Sequence, residues 1–219
     1  MTNKNSCIMT DNFNVYREYI TEEFVKCPLE ETDSYFAIEL MRRGKDNPDM
    51  PAANVHFKNY YIRKPEDLDK YEQEIKTLCN VLRMRAYVSV NVKSFRQVTL
   101  DTMAELARRV ANNDFRKNYN IYESCSGSYC LSSMRRWVVD IDDCGIDSEK
   151  TMLCMDIINS PNLEPIGRDK IIKVIPSKSG IHLITIPFNV QDFHSRYQDA
   201  KYETPDIKKN HLTLLYENL

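Results

Sequence analysis

In the segment WVVDIDD, Asp140 and Asp142 stand two residues apart on an apolar run. A strand there projects both carboxylates from one face, while Trp137, Val139 and Ile141 take the other. Two like charges so close repel unless a cation lies between them, and a hard divalent ion such as Mg²⁺ or Mn²⁺ takes oxygen ligands of this kind. The same spacing fits two solvated acids at a strand end that leads into the turn DDCGIDSE. In the first case, removing either acid from the metal-free protein should relieve repulsion and leave stability unchanged or raised. A second group follows in PSKSGIH, where Ser177, Lys178, Ser179 and His182 flank the unhindered backbone of Gly180. Two hydroxyls, an ammonium and an imidazole form a donor set suited to a polyphosphate, although PSKSG is also good hairpin chemistry in any protein.

The elements that must position these groups are legible from periodicity. Helices are expected over 14–27, from Pro65 to about Leu82 and from Ser94 to about Val110, the last opened by a capping-box signature at Ser94 and Gln97. AYVSVNV alternates as a half-buried strand, Ser34 to Met41 is a short apolar segment, and 46–53 with its prolines reads as a loop. The Tyr-, Ser- and Cys-rich stretch 118–133 also reads as a loop. From Arg136 onward the pattern is regular: strand 136–142, helix 148–160, strand 170–175, turn, strand 181–187, helical segment 190–200 and strand 211–216. That is β-α-β-β-α-β, the ferredoxin-like order of RNA-recognition (RRM-like) folds and polymerase palms. The expected fold is therefore α+β, an RRM-like palm over 136–219 with an N-terminal αβ layer over 1–135, together one compact unit. In such a sheet the spatial order is fourth, first, third, second, so the strand bearing Asp140 and Asp142 lies antiparallel to the strand bearing His182.

Composition narrows the classes. The chain has 219 residues, 42% hydrophobic and 28% charged, long enough to bury about 70% of its unfolded surface without cross-links. No signal peptide and no apolar run of about 20 residues is present, which points to a cytoplasmic protein with no membrane partner. Seven scattered cysteines read as reduced thiols. Cys125 and Cys130, spaced C-x4-C, could supply two zinc ligands, but no matching second pair follows, and two ordinary thiols near a loop is the simpler reading. Cys144 is the thiol that topology brings nearest to His182, and a Cys–His nucleophile is not the expected chemistry. The net charge of −2 carries no global nucleic-acid signal, yet residues 83–117 hold eight basic side chains against three acidic. Lys93 and Arg96 are the expected nucleic-acid contacts of that segment, with a merely solvated helix face as the alternative. Neither G-x-x-x-x-G-K-[ST] nor G-x-G-x-x-G occurs, so P-loop and Rossmann chemistry is not expected.

A hydrophobic strand ending D-x-D, then a helix, a strand and a Ser179–His182 pair (S-x-x-H) in a hairpin, resembles the archaeo-eukaryotic primase superfamily over residues 136–216. The resemblance implies that Asp140 and Asp142 hold the catalytic Mg²⁺ or Mn²⁺. It also implies that Ser179 and His182 contact the phosphates of an incoming nucleoside triphosphate. It further implies a nucleotidyltransferase that initiates or extends a strand on a DNA or RNA template, with a helicase as a separate partner. In texture the chain is similar to small bacteriophage and mobile-element proteins. The family's third acid, on a later strand, has its obvious counterpart in Tyr216-Glu217, whereas antiparallel geometry favours Asp206 near the start of the fourth strand. Two other readings use the same residues: a non-catalytic nucleic-acid-binding module on the same sheet, and a metal-dependent nuclease or phosphodiesterase.

Overall fold

Alternating apolar residues write two separate sheets, and the helices between them are amphipathic enough to cover one face of each. The computed structural model describes residues 9–49, 53–198 and 202–218, and among these the chain is α+β, with two antiparallel sheets and six α-helices. Among the described residues, no helix is long and apolar enough to cross a membrane.

The first sheet contains β1 (Thr10–Asp11), β2 (Ser34–Arg42), β3 (Val55–Ile62), β4 (Arg85–Ser89), β5 (Lys93–Ser94) and, from the far end of the chain, β10 (Leu212–Glu217). Its order is β1-β10-β4-β2-β3, with β5 also paired to β2. Phe36, Ile38 and Leu40 of β2 share a core with Ala86 and Val88 of β4, with α1 (Phe13–Lys26) and with α2 (Pro65–Leu82). Pro65 sits in the first turn of α2, where its missing N–H costs nothing, and Leu68, Ile75 and Cys79 form the buried side. β2 is buried on both faces at its start, because Tyr35 stacks on Phe95 of α3 (Phe95–Ala111) with ring centroids 4.1 Å apart. Ser94 caps α3 by accepting from the Gln97 backbone N–H at 2.9 Å. The Gln97 side chain turns forward to Asp101, so half of the expected capping box forms.

The second sheet, ordered β7-β8-β6-β9, contains β6 (Trp137–Asp142), β7 (Ile171–Pro176), β8 (Gly180–Thr185) and β9 (Asp206–Lys208). Trp137, Val139 and Ile141 pack on α5 (Glu149–Asn159) and α6 (Val190–Tyr197), which leaves Val138, Asp140 and Asp142 on the opposite face.

Four expectations need correction. The fourth strand of the second sheet is β9, whereas 212–217 crosses back to the first sheet as β10, between β1 and β4. The layer boundary at 135/136 therefore fails at its C-terminal side: residues 137–208 form an insertion, and the first layer is completed by the end of the chain. Third, β3 arises just past the proline loop, where exposed Val55 and Phe57 obscure its alternation. Fourth, 118–133 contains α4 (Ile121–Ser128), held in place by buried Ile121 and Ser126. The expected helix 190–200 ends at Tyr197, and Ala200, like Cys7, lies outside the described residues.

One side chain ties down both ends of the insertion. Asn91 accepts from the Arg136 N–H at 2.7 Å, donates to the Arg136 carbonyl at 3.1 Å and donates to Asn210 Oδ1 at 3.2 Å. Two further stitches run from α1 and the residue before it: Glu23 receives both Arg136 Nε (2.8 Å) and Nη2 (3.0 Å), and Asn12 donates to the Pro176 and Leu214 carbonyls.

Candidate functional site

The register of β6 decides what its acids meet. Asp140 pairs with His182 on one side and Asp206 on the other, and Val138 pairs with Lys208. Directly opposed residues of an antiparallel pair share a face, so Asp140, Asp142, His182, Asp206 and Lys208 all rise from the same side of the sheet. Asp140 Oδ1 lies 3.1 Å from His182 Nε2, and Lys208 Nζ donates to its Oδ2. Burial alone raises the Asp140 carboxyl, but the hydrogen bonds from His182 and Lys208 outweigh it and hold the group well below the usual carboxylate range. His182 Nδ1 is buried and finds no hydrogen-bond partner among the described residues, while Asp142 and Asp206 are exposed.

The hairpin is set by close approach. Gly180 pairs with Asp142, and a Cβ at this position would stand 2.1 Å from the Ile141 carbonyl oxygen, so no other residue fits. The Ser177 N–H donates to the Gly180 carbonyl at 2.9 Å and closes the turn. Ser179 and Lys178 are exposed at its tip. Lys178 Nζ lies 3.9 Å from Asp46 Oδ1, so the tip reaches a charge cluster of the first layer. In that cluster Arg85 pairs with Asp46 at 2.7 Å and approaches Glu217 at 2.8 Å, all three nearly buried. Burial raises the Glu217 carboxyl, opposed by Arg85 and Lys178. At the rim stands His211, its imidazole lowered by lost hydration on its protein side and by Lys208 and His182. The arrangement is a sheet face with carboxylates at its centre and Lys208, Lys178 and His211 around them.

The D-x-D acid Asp140 and the hairpin imidazole His182 thus come together, and Asp206 joins them directly opposite Asp140. Glu217 belongs to the first sheet and is engaged by Arg85. Lys208 is the partner that motif reading overlooks; its signal is alternation, since two residues after Asp206 on a strand it must share that face. Among the described residues, no three His, Cys, Asp or Glu side chains form a group able to hold a metal ion. Asp140, Asp142 and Asp206 share a face without converging.

Lys93 is a correction. Instead of meeting phosphate at a surface it is buried, its ammonium donating to the carbonyls of Ser126 and Tyr129, and burial pushes it down to about 8. Arg96 is exposed, its backbone N–H held by Asp33 at 2.7 Å. Cys125 and Cys130 are free, half-buried thiols at α4 and just beyond it, and Cys144 engages Thr151 and the Ile141 carbonyl.

In comparisons with protein-family models, curated proteins and solved structures, nothing matches the chain.

Proposed function

We propose that the chain is a metal-dependent nucleotidyltransferase of primase-polymerase type, which initiates or extends a nucleic-acid strand on a DNA or RNA template. In this reading the second sheet is a ferredoxin-like, RRM-like palm. One observation carries it: the order β9-β6-β8-β7 sets the D-x-D acid Asp140 against the hairpin imidazole His182 at 3.1 Å, with Lys178 at the adjoining hairpin tip. Asp140, Asp142 and Asp206 offer carboxylate oxygens, the donors Mg²⁺ and Mn²⁺ prefer, but on the metal-free face they do not converge, so they would hold an ion only after moving toward one another. Such an ion neutralises charge on a triphosphate. The chain's own cations, Lys178 and Lys208, and the hydroxyls of Ser177 and Ser179 orient the phosphates, since positioning supplies most of the catalysis in phosphoryl transfer. Lys208 competes with a metal for Asp140.

The experiment is calorimetric titration with a non-hydrolysable triphosphate, with and without Mn²⁺, alongside template-dependent incorporation. Mn²⁺-dependent binding lost in Asp140→Ala, together with incorporation by the wild type, supports the reading; triphosphate binding indifferent to Mn²⁺ sinks it. A second reading is favoured by Lys208, whose ammonium already balances Asp140: a nucleic-acid-binding module without catalysis. That module binds single strands and shows no metal-dependent triphosphate binding.

A further inference from the structure

Arg43 approaches the site from the other layer. Along β2 the residues Phe36, Ile38 and Leu40 enter the first core, so alternation sends Glu39, Met41 and, one step past the strand, Arg43 to the opposite face. Arg43 is still extended, with φ −92° and ψ 129°, and Tyr87 and Arg85 of β4 pair with Glu39 and Met41 on that same face. Its backbone is pinned, because the Asp46 N–H and the Asn47 side chain each donate to the Arg43 carbonyl at 3.1 Å. The side chain is not. Arg43 is half-buried, yet among the described residues its guanidinium forms no ion pair and one long hydrogen bond, from Nη1 to the Tyr87 hydroxyl at 3.4 Å. Arg83 and Arg85 nearby each meet an acid, at 3.0 and 2.7 Å. A guanidinium that has lost hydration without gaining a counter-charge favours an anion from outside the chain.

The charge of Arg43 is felt in both layers. Burial lowers the His211 imidazole, and Arg43 adds to that effect as Lys208 and His182 do; burial raises the Glu217 carboxyl, and Arg43 opposes the rise beside Arg85 and Lys178. Lys178, 42% exposed, arrives from the hairpin tip and lies 3.9 Å from the Asp46 oxygen that Arg85 already holds, so its ammonium is only loosely engaged. We propose that Arg43 and Lys178, one from each layer, form a clamp for a polyphosphate whose other end reaches His182. That the ligand is a nucleoside triphosphate rests on the nucleotidyltransferase reading; the anion site itself does not. The guanidinium fork takes two phosphate oxygens at once, and the ammonium adds a mobile point charge. From His182 to Gly180 the strand runs two residues, about 7 Å, and Lys178 lies beyond, so a row of phosphates, and not a single one, spans imidazole and clamp. A nucleic-acid backbone also offers phosphate oxygens, and the experiment separates the two sources.

The test is calorimetric titration of the full chain with inorganic tripolyphosphate in the presence of Mn²⁺, beside titration with a single-stranded oligonucleotide and an assay of template-dependent incorporation. Arg43→Ala should weaken tripolyphosphate binding by at least about tenfold and leave oligonucleotide binding within about twofold, with unchanged circular dichroism and melting temperature, since the side chain gives the fold only one long hydrogen bond. Arg43→Lys should recover part of the loss, because it keeps the charge without the fork. Arg116→Ala, at a side chain 91% exposed, should match the wild type, and an equal loss there would reduce the effect to net charge and overturn the clamp. Unchanged tripolyphosphate affinity in Arg43→Ala overturns the clamp, and incorporation by the wild type then still supports the nucleotidyltransferase reading. Tripolyphosphate binding that depends on Arg43 in a protein that incorporates nothing keeps the clamp and removes that reading. A loss confined to the oligonucleotide, or a wild type that binds no tripolyphosphate up to about 10 mM, overturns the clamp.

Discussion

Asp140 and His182 lie directly opposite each other in the β6–β8 ladder, and carboxylate oxygen and imidazole nitrogen meet at 3.1 Å. With Lys208 on the other oxygen, Asp140 is a structural keystone of the metal-free protein. The repulsion expected between Asp140 and Asp142 is therefore the smaller effect.

Asp140→Ala should cost about 2 kcal/mol, since it strands an ammonium and an imidazole, whereas Asp142→Ala, at an exposed position, should stay within about 0.5 kcal/mol. The carboxyl of Asp140 is held below its ordinary value of 3.8. Its contribution is thus present above that value and is lost as pH falls toward the folded-state value, because the unfolded chain takes up the proton first. Urea midpoints of wild type and Asp140→Asn should differ at pH 7 and converge below about pH 4. A gap that is constant with pH contradicts the assignment.

His182→Ala should raise the apparent KM for nucleoside triphosphate by about tenfold, equivalent to ~1.4 kcal/mol, with a smaller effect on template binding. The measurement is triphosphate titration at fixed template with Mn²⁺ present. Unchanged KM removes His182 from the nucleotide site.

Gly180→Ala should destabilise by at least about 2 kcal/mol, because its methyl group runs into backbone and not into a movable side chain. Chemical denaturation reads this directly, and a neutral result would mean that the β6–β8 spacing relaxes easily.

Lys93 should titrate near pH 8, against an ordinary 10.5. As pH falls from 10.5 through 8 the unfolded chain binds a proton that the folded chain refuses, so stability is lost across that window. Wild type should therefore gain on Lys93→Met between pH 7 and pH 10, by on the order of 2 kcal/mol. Urea midpoints of both proteins at three pH values check it; parallel curves would show a normally titrating amine.

The helices other than α4, and the strands β6, β7 and β8, were legible because their apolar periodicity is strong and Pro65, Ser94 and Ser148 mark starts. So was the meeting of Asp140 with His182, which follows from strand order alone. β3 was not, because an edge strand with Val55 and Phe57 facing solvent lacks the alternation that betrays burial. β10 was legible as a strand but not in its place: LTLLY is apolar on both faces, which fits either sheet, and only the shortness of β9 separates the alternatives. Lys93 misled because a lysine in a basic segment looks solvated, whereas the backbone carbonyls of Ser126 and Tyr129 draw it inside.

The return of β10 has a consequence for how the chain is made. Thr10 pairs with Glu217, and β4 has β10 as its second neighbour, so the first core is discontinuous and its sheet closes only when β10, made after β1 to β9, arrives. The second sheet, drawn wholly from 137–208, can assemble first. Until then the β4 edge, carrying Ala86 and Val88, stands open as a template for a stray strand. Slow translation through the insertion, and not the stability of the finished protein, should govern how much of the chain is lost to aggregation during synthesis.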